Sequence, residues 1–194
     1  MNSNSREIRS TVAVIKCDDY NEAAVTEAIT RGMSLLGDSV STLFQPNEKI
    51  LIKPNMLQSS SPEDAACTHP AIFKSVALWL SKQGCSLTYG DSPAIAGPRQ
   101  AANANGLGKA AEMLGIPMAD FLKGSDVPAL DGCMNRSFHL ARGVQDADGL
   151  VSISKLKTHG FTGMTGAIKN QLGCIPGLRK AEYHARLPDP DAFS

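Results

Sequence analysis

Apolar positions along the chain follow two alternating periods. Short β-branched runs read as strands at Thr11-Val-Ala-Val-Ile-Lys16, Lys49-Ile-Leu-Ile-Lys53, Cys85-Ser-Leu-Thr-Tyr89 and Asp148-Gly-Leu-Val-Ser-Ile-Ser154. Between the first two, Val25, Ile29, Met33 and Leu36 recur at three- and four-residue steps, which predicts a helix over 22–36. Asn21 suits its N-cap, and Gly37 stands where a left-handed residue ends a helix. A second helix starts at Thr68 or His69, with Pro70 in its first turn and Gly84 at its end. Ile72, Val76 and Leu80, with Phe73, Ala77 and Trp79 beside them, form its buried face. Residues 98–114 suggest two short helices broken at Gly106-Leu-Gly108. Ser137-Phe-His-Leu140 is a weaker strand, and 161–172 a helix that Gly163 and Gly166 disfavour. Strands alternating with amphipathic helices predict an α/β fold: a largely parallel or mixed sheet with helices on both faces. The polar residues 1–10 read as a disordered leader, and 11–194 as a single α/β domain.

Charge narrows the function classes. Lys+Arg and Asp+Glu are 19 each, so no broad basic field exists for nucleic acid or a membrane surface. No apolar run approaches the ~20 residues of a membrane span, and the start lacks a signal-peptide core, so a cytoplasmic location is the expectation. The cysteines at 17, 67, 85, 133 and 174 are too far apart in sequence for a zinc or iron–sulphur chelate and read as reduced thiols.

Candidate chemistry gathers where strands end. Lys53-Pro-Asn55 follows the second strand, Gly90-Asp91-Ser92-Pro93 the third, and Lys155-Leu-Lys157-Thr158-His159 the last. In a parallel sheet these ends share one crevice, where ligands collect. From Lys155 to His184, Lys155, Lys157, Lys169, Arg179 and Lys180 face a single acid, Glu182. Thr158, Thr162, Thr165, Asn170, His159 and His184 accompany them, and glycines let backbone N–H groups approach a ligand. This composition suits a phosphate, pyrophosphate or carboxylate. Lys53 is either a ligand-facing cation or a solvated lysine. Asp91 is either an orienting carboxylate or a turn residue, and His69 either a ligand or a helix N-terminal residue. His139 reads as structural. No P-loop, complete dinucleotide-binding glycine motif or nucleophile elbow is present.

The motifs Ile52-Lys-Pro-Asn55, Thr68-His-Pro70, Gly90-Asp-Ser-Pro93, Lys155-Leu-Lys-Thr-His159 and Thr165-Gly-Ala-Ile-Lys-Asn-Gln-Leu-Gly173 resemble, in order, the family called domain of unknown function 362. Lys180 and His184 continue the resemblance. Family members are typically longer, and many carry a ferredoxin-like segment with 4Fe-4S clusters. The resemblance therefore implies a chain truncated at the C-terminus and an iron–sulphur association in full-length relatives, with no cluster ligands in this segment. A more distant similarity is to nickel-dependent lactate racemases, whose glycine-rich loop with lysines and histidines holds a modified pyridinium nucleotide.

The combined reading is a domain that binds an anionic substrate or cofactor within a redox- or iron–sulphur-linked enzyme, an oxidoreductase or racemase-like activity being possible but unassigned. Lys53, Lys155, Lys157, Lys169 and Lys180 would neutralise the anion, and Asn55, Thr158, Asn170 and His69 would position it. His159 and His184 would move protons or bind a metal, with Asp91 orienting them; the metal itself is unassigned. The alternative is a non-catalytic scaffold that partners a 4Fe-4S ferredoxin-like domain.

Overall fold

The computed structural model describes residues 10–131, 135–160, 162–177 and 179–186. In chain order the elements are α1 (Glu22–Leu36), α2 (Asp38–Ser41), β1 (Lys49–Pro54), α3 (Pro70–Lys82), β2 (Ser86–Tyr89), α4 (Pro98–Ala104) and α5 (Leu107–Met113). They continue with β3 (Gly124–Pro128), β4 (Ser137–Ala141), α6 (Arg142–Gln145), β5 (Gly149–Ile153), β6 (Lys157–His159), β7 (Gly163–Thr165), α7 (Ala167–Asn170) and α8 (Arg179–Arg186).

β1 is apolar on both faces because it is central. It pairs in parallel with β2 on one side and β5 on the other, Ile50 lying opposite Leu87 and Gly149. The mixed α/β expectation is met by this sheet together with two antiparallel hairpins, β3–β4 and β6–β7. Ile50 and Ile52 enter a core with Phe73, Val76, Ala77 and Leu80 of α3 and with Ala101, Ala102, Leu107, Ala110 and Ala111 of α4 and α5. Leu51 points the other way, to Phe121 and Ala141, with Val144 and Leu150 packed beside them. Burying each such large side chain contributes about 1.5–3 kcal/mol before the ordering cost.

The helix signals operate as read. Asn21 accepts hydrogen bonds from the N–H groups of Ala23 and Ala24 and caps α1, worth about 1 kcal/mol. Gly106, at φ +75°, occupies the left-handed position between α4 and α5, which a Cβ would strain. No helix among the described residues is long and apolar enough to cross a membrane.

Two expectations fail. Thr11–Lys16 forms no strand. It has no ladder partner among the described residues; Ile15 rests against α1 while Val12 and Val14 remain 77% and 89% exposed. Apolar, β-branched residues favour extension, but a strand also needs a neighbour to take its hydrogen bonds. The helix over 161–172 shrinks to Ala167–Asn170 and a following 3₁₀ turn, Gln171–Cys174. Gly163, at φ +72°, belongs to the β6–β7 hairpin instead; Phe161 lies outside the described residues. The leader likewise falls on residues outside the description, apart from Ser10.

Candidate functional site

Parallel pairing brings the exits of β1, β2 and β5 to one edge of the sheet. There Lys53, the last but one residue of β1, is fully buried. Its Nζ donates to Asp91 Oδ1 at 2.7 Å and to Asn170 Oδ1 at 3.2 Å. The second oxygen of Asp91 accepts from the N–H of Met56 at 2.7 Å. Asn170 fastens α7 to the sheet: its Nδ2 donates to the Lys53 carbonyl at 3.2 Å and to Ser152 Oγ at 2.9 Å. Lys53 and Ser152 are register partners on β1 and β5, so one asparagine bridges both strands. A buried charge pair is tolerable only with such complete hydrogen bonding.

Above this floor opens a cavity of about 280 Å³ lined by residues that include Asn55, Asp91, His159, Lys169, Asn170 and Lys180. Asp91 is the only acid lining it among the described residues. Lys157 stands behind the wall, donating to Asn55 Oδ1 at 2.7 Å and to the Ala66 carbonyl. Burial lowers its amine below the ordinary lysine range, and nearby Lys169 and Lys155 push the same way against Cys67 and Asp91. Lys180, from α8, donates to the carbonyls of Ser92 and Pro93 and to Ser92 Oγ. Desolvation brings it down to about 8, with Lys53 and Lys169 assisting and Asp91 opposing. Lys169 is half-buried and has no hydrogen-bond or ion-pair partner among the described residues; burial lowers its amine too. Three lysines are thus already bonded to protein oxygens, and one is not.

Six expected site residues therefore line the cavity: Asn55, Asp91, His159, Lys169, Asn170 and Lys180. Lys53 lies beneath it, committed to Asp91. Thr158 is exposed, because alternation along β6 turns it away from the face carrying Lys157 and His159. Lys155 and His69 belong to a neighbouring cluster. The Lys155 amine bonds the Tyr20 hydroxyl at 2.8 Å, and Tyr20 stacks on His69 with ring centroids 3.9 Å apart. His69 Nδ1 accepts from the Ala71 N–H and caps α3, the helix-terminal alternative of its two readings. Desolvation, then Lys155, lowers its pKa despite Glu63. The side chain of His184 lies outside the described residues; its backbone is in α8. His139, expected to be structural, pairs with Asp126 across the β3–β4 hairpin at 2.6 Å.

The residue types missed in the sequence are the ones that hold the site's shape. Thr68 Oγ1 accepts from the Asn55 N–H and donates to the Ile153 carbonyl, tying the exit of β1 to the end of β5. Ser92 accepts Lys180, and its Oγ also accepts from the Gly177 N–H at 2.9 Å. Gly173 lets backbone lie against the ion pair: a Cβ there would sit 1.9 Å from Asp91 Oδ1 and 2.6 Å from Lys53 Nζ. Thr68 and Gly173 stand inside recognisable motifs, but only the fold gives them partners.

Cys17, Cys67, Cys85 and Cys174 are free thiols, and no three His, Cys, Asp or Glu side chains among the described residues group to hold a metal. Burial pushes the Cys174 thiol up to about 11 and also raises that of Cys85.

The family described as domain of unknown function (DUF362) matches residues 50–194, the span that contains all three strand exits. A thylakoid-associated protein of Synechocystis sp. is 29% identical over 174 residues, covering 90% of this chain. The chain spans about half, 53%, of that relative's length. No solved structure matches the chain.

Proposed function

The chain belongs to the DUF362 family, and we propose that it binds a small anion, a carboxylate or a phosphate, in the cavity at the carboxyl ends of β1, β2 and β5. The observation that carries this reading is Lys169: an amine lining the cavity with no hydrogen-bond or ion-pair partner among the described residues, beside lysines already bonded to protein oxygens. Lys53, Lys157 and Lys180 set a positive field that one carboxylate does not balance. Asn55 and Asn170 hold the walls, and His159 is the lining group suited to moving a proton. Partial burial strengthens such a field relative to open water. The cavity volume lies just below the roughly 300 Å³ at which drug-sized ligand pockets begin, which favours a compact anion over a whole dinucleotide.

A redox or iron–sulphur role belongs in this proposal to a separate ferredoxin-like partner, because no three His, Cys, Asp or Glu side chains group among the described residues. The test is calorimetric titration of the purified chain with oxalate and with inorganic phosphate, using chloride of equal ionic strength as control. Saturable binding of either anion, weakened in Lys169→Met, is expected. Absence of saturable binding by both would overturn the reading.

A further inference from the structure

Resting on that anion-binding reading, we infer that Lys169 is a nucleophilic amine that forms an imine with a small carboxylate bearing an adjacent aldehyde or ketone. The cavity divides its lysines by what they are already doing. Lys53 is locked between Asp91 and Asn170, and Lys157 between Asn55 and the Ala66 carbonyl. Lys180 directs its amine at Ser92 and Pro93. These three supply fixed positive charge for a carboxylate. Lys169 lines the same space with its nitrogen uncommitted among the described residues, which leaves it for the neighbouring carbonyl carbon.

Nucleophilic attack needs the neutral amine. Burial lowers the Lys169 amine from its ordinary range, and a desolvated lysine among other cations is a recurrent way to activate it. The step balances without an oxidant or reductant. The Lys169 nitrogen forms a bond to the carbonyl carbon as the C=O π bond breaks, giving a carbinolamine. The oxygen then leaves as water, carrying both hydrogens of the neutral amine, and a C=N bond remains. His159, on the same cavity wall, can relay a proton from nitrogen to oxygen.

The test uses glyoxylate with borohydride on the full chain, followed by peptide mapping by mass spectrometry. Oxalate, which has no aldehyde or ketone, is titrated in parallel. A reduced adduct on Lys169, formed ahead of exposed lysines such as Lys16 (side chain 85% exposed), suppressed by oxalate and absent in Lys169→Arg, is expected. If oxalate binds but the label lands on Lys180, spreads over exposed lysines or does not form, the imine inference falls and the anion reading stands. If neither oxalate nor glyoxylate binds, the imine inference falls, and the anion reading falls with it when inorganic phosphate does not bind either.

Discussion

Lys53 and Lys169 belong to one site and have opposite fates. Lys53 is fully buried, pinned to Asp91 and Asn170, and structural. Lys169 is half-buried, lines the cavity and has no hydrogen-bond or ion-pair partner among the described residues. The same side chain closes the floor in one place and, in the proposed reading, takes a ligand in the other. That reading rests on charge without a described partner, not on charge near a cavity. The sharpest way to break this contrast is to remove each lysine in turn. Lys53→Met leaves the Asp91 carboxylate buried without its counter-ion, and an expected loss of about 3–5 kcal/mol follows. Denaturant unfolding measures it. Adding Asp91→Asn should restore part of the loss, since the stranded charge and not the missing lysine is the main cost. Equal stability losses from Lys53→Met and Lys169→Met would abolish the distinction.

Gly173 tests the floor from the other side. A methyl group at this position would overlap the ion pair, and the conformation is not one that glycine alone can adopt, so the effect is one of space. Gly173→Ala should cost about 1–3 kcal/mol, as overpacking does. The cost should shrink when Asp91 is also shortened to Ala, which vacates the colliding oxygen. A thermal-melt cycle over the two single variants and the double variant reads the coupling. An undiminished cost would mean that Gly173 matters for some other reason.

At the rim the readout changes from stability to affinity. Lys169→Met should leave unfolding within about 0.5 kcal/mol of wild type, because no hydrogen bond or ion pair to a described residue is lost and the methionine keeps most of the apolar stem. Oxalate affinity should fall about tenfold or more, the range for one lost charge-assisted hydrogen bond. A Lys169→Met variant that unfolds easily but still binds oxalate would reverse the roles assigned to floor and rim.

The fold was legible where local signals and burial agree. Asn21, Pro70 and Gly106 each mark a boundary through backbone chemistry that holds whatever surrounds it. The apolar run of β1 announced a strand; its burial on both faces is seen only in the sheet. Thr11–Lys16 carries equally strong β character and forms no strand, because pairing is a property of neighbours that propensity cannot contain. The site was legible to the level of its strand ends: Lys53, Asp91, His159 and Lys169 do gather at the cavity and its floor. Their division of labour was not. Whether Lys53 faces ligand or carboxylate depends on a contact 38 residues away, and the commitment of Asn170 depends on one 117 residues away. Thr158 fell outside because β6 is a strand, and in a strand adjacent side chains part to opposite faces.

The smallest expected effect is a pH profile, and it probes the rim as a group. Lys180 titrates at about 8 in the folded chain against an ordinary 10.5. Its ammonium is therefore present below that pH and is lost as pH rises through about 8. Oxalate affinity should be full below this window and fall across it; Lys180→Arg, whose guanidinium stays charged, should flatten the fall. Stability should move in the opposite sense. Between about 8 and 10.5 the unfolded chain binds a proton that the folded chain has released, so this group's contribution to stability rises with pH. Lys157 and Lys169 are shifted in the same direction and add to the trend. Opposed trends separate loss of the ligand's counter-charge from loss of the fold. If affinity and stability decline together above about 8, the protein is simply unfolding and the rim lysines are not setting the profile.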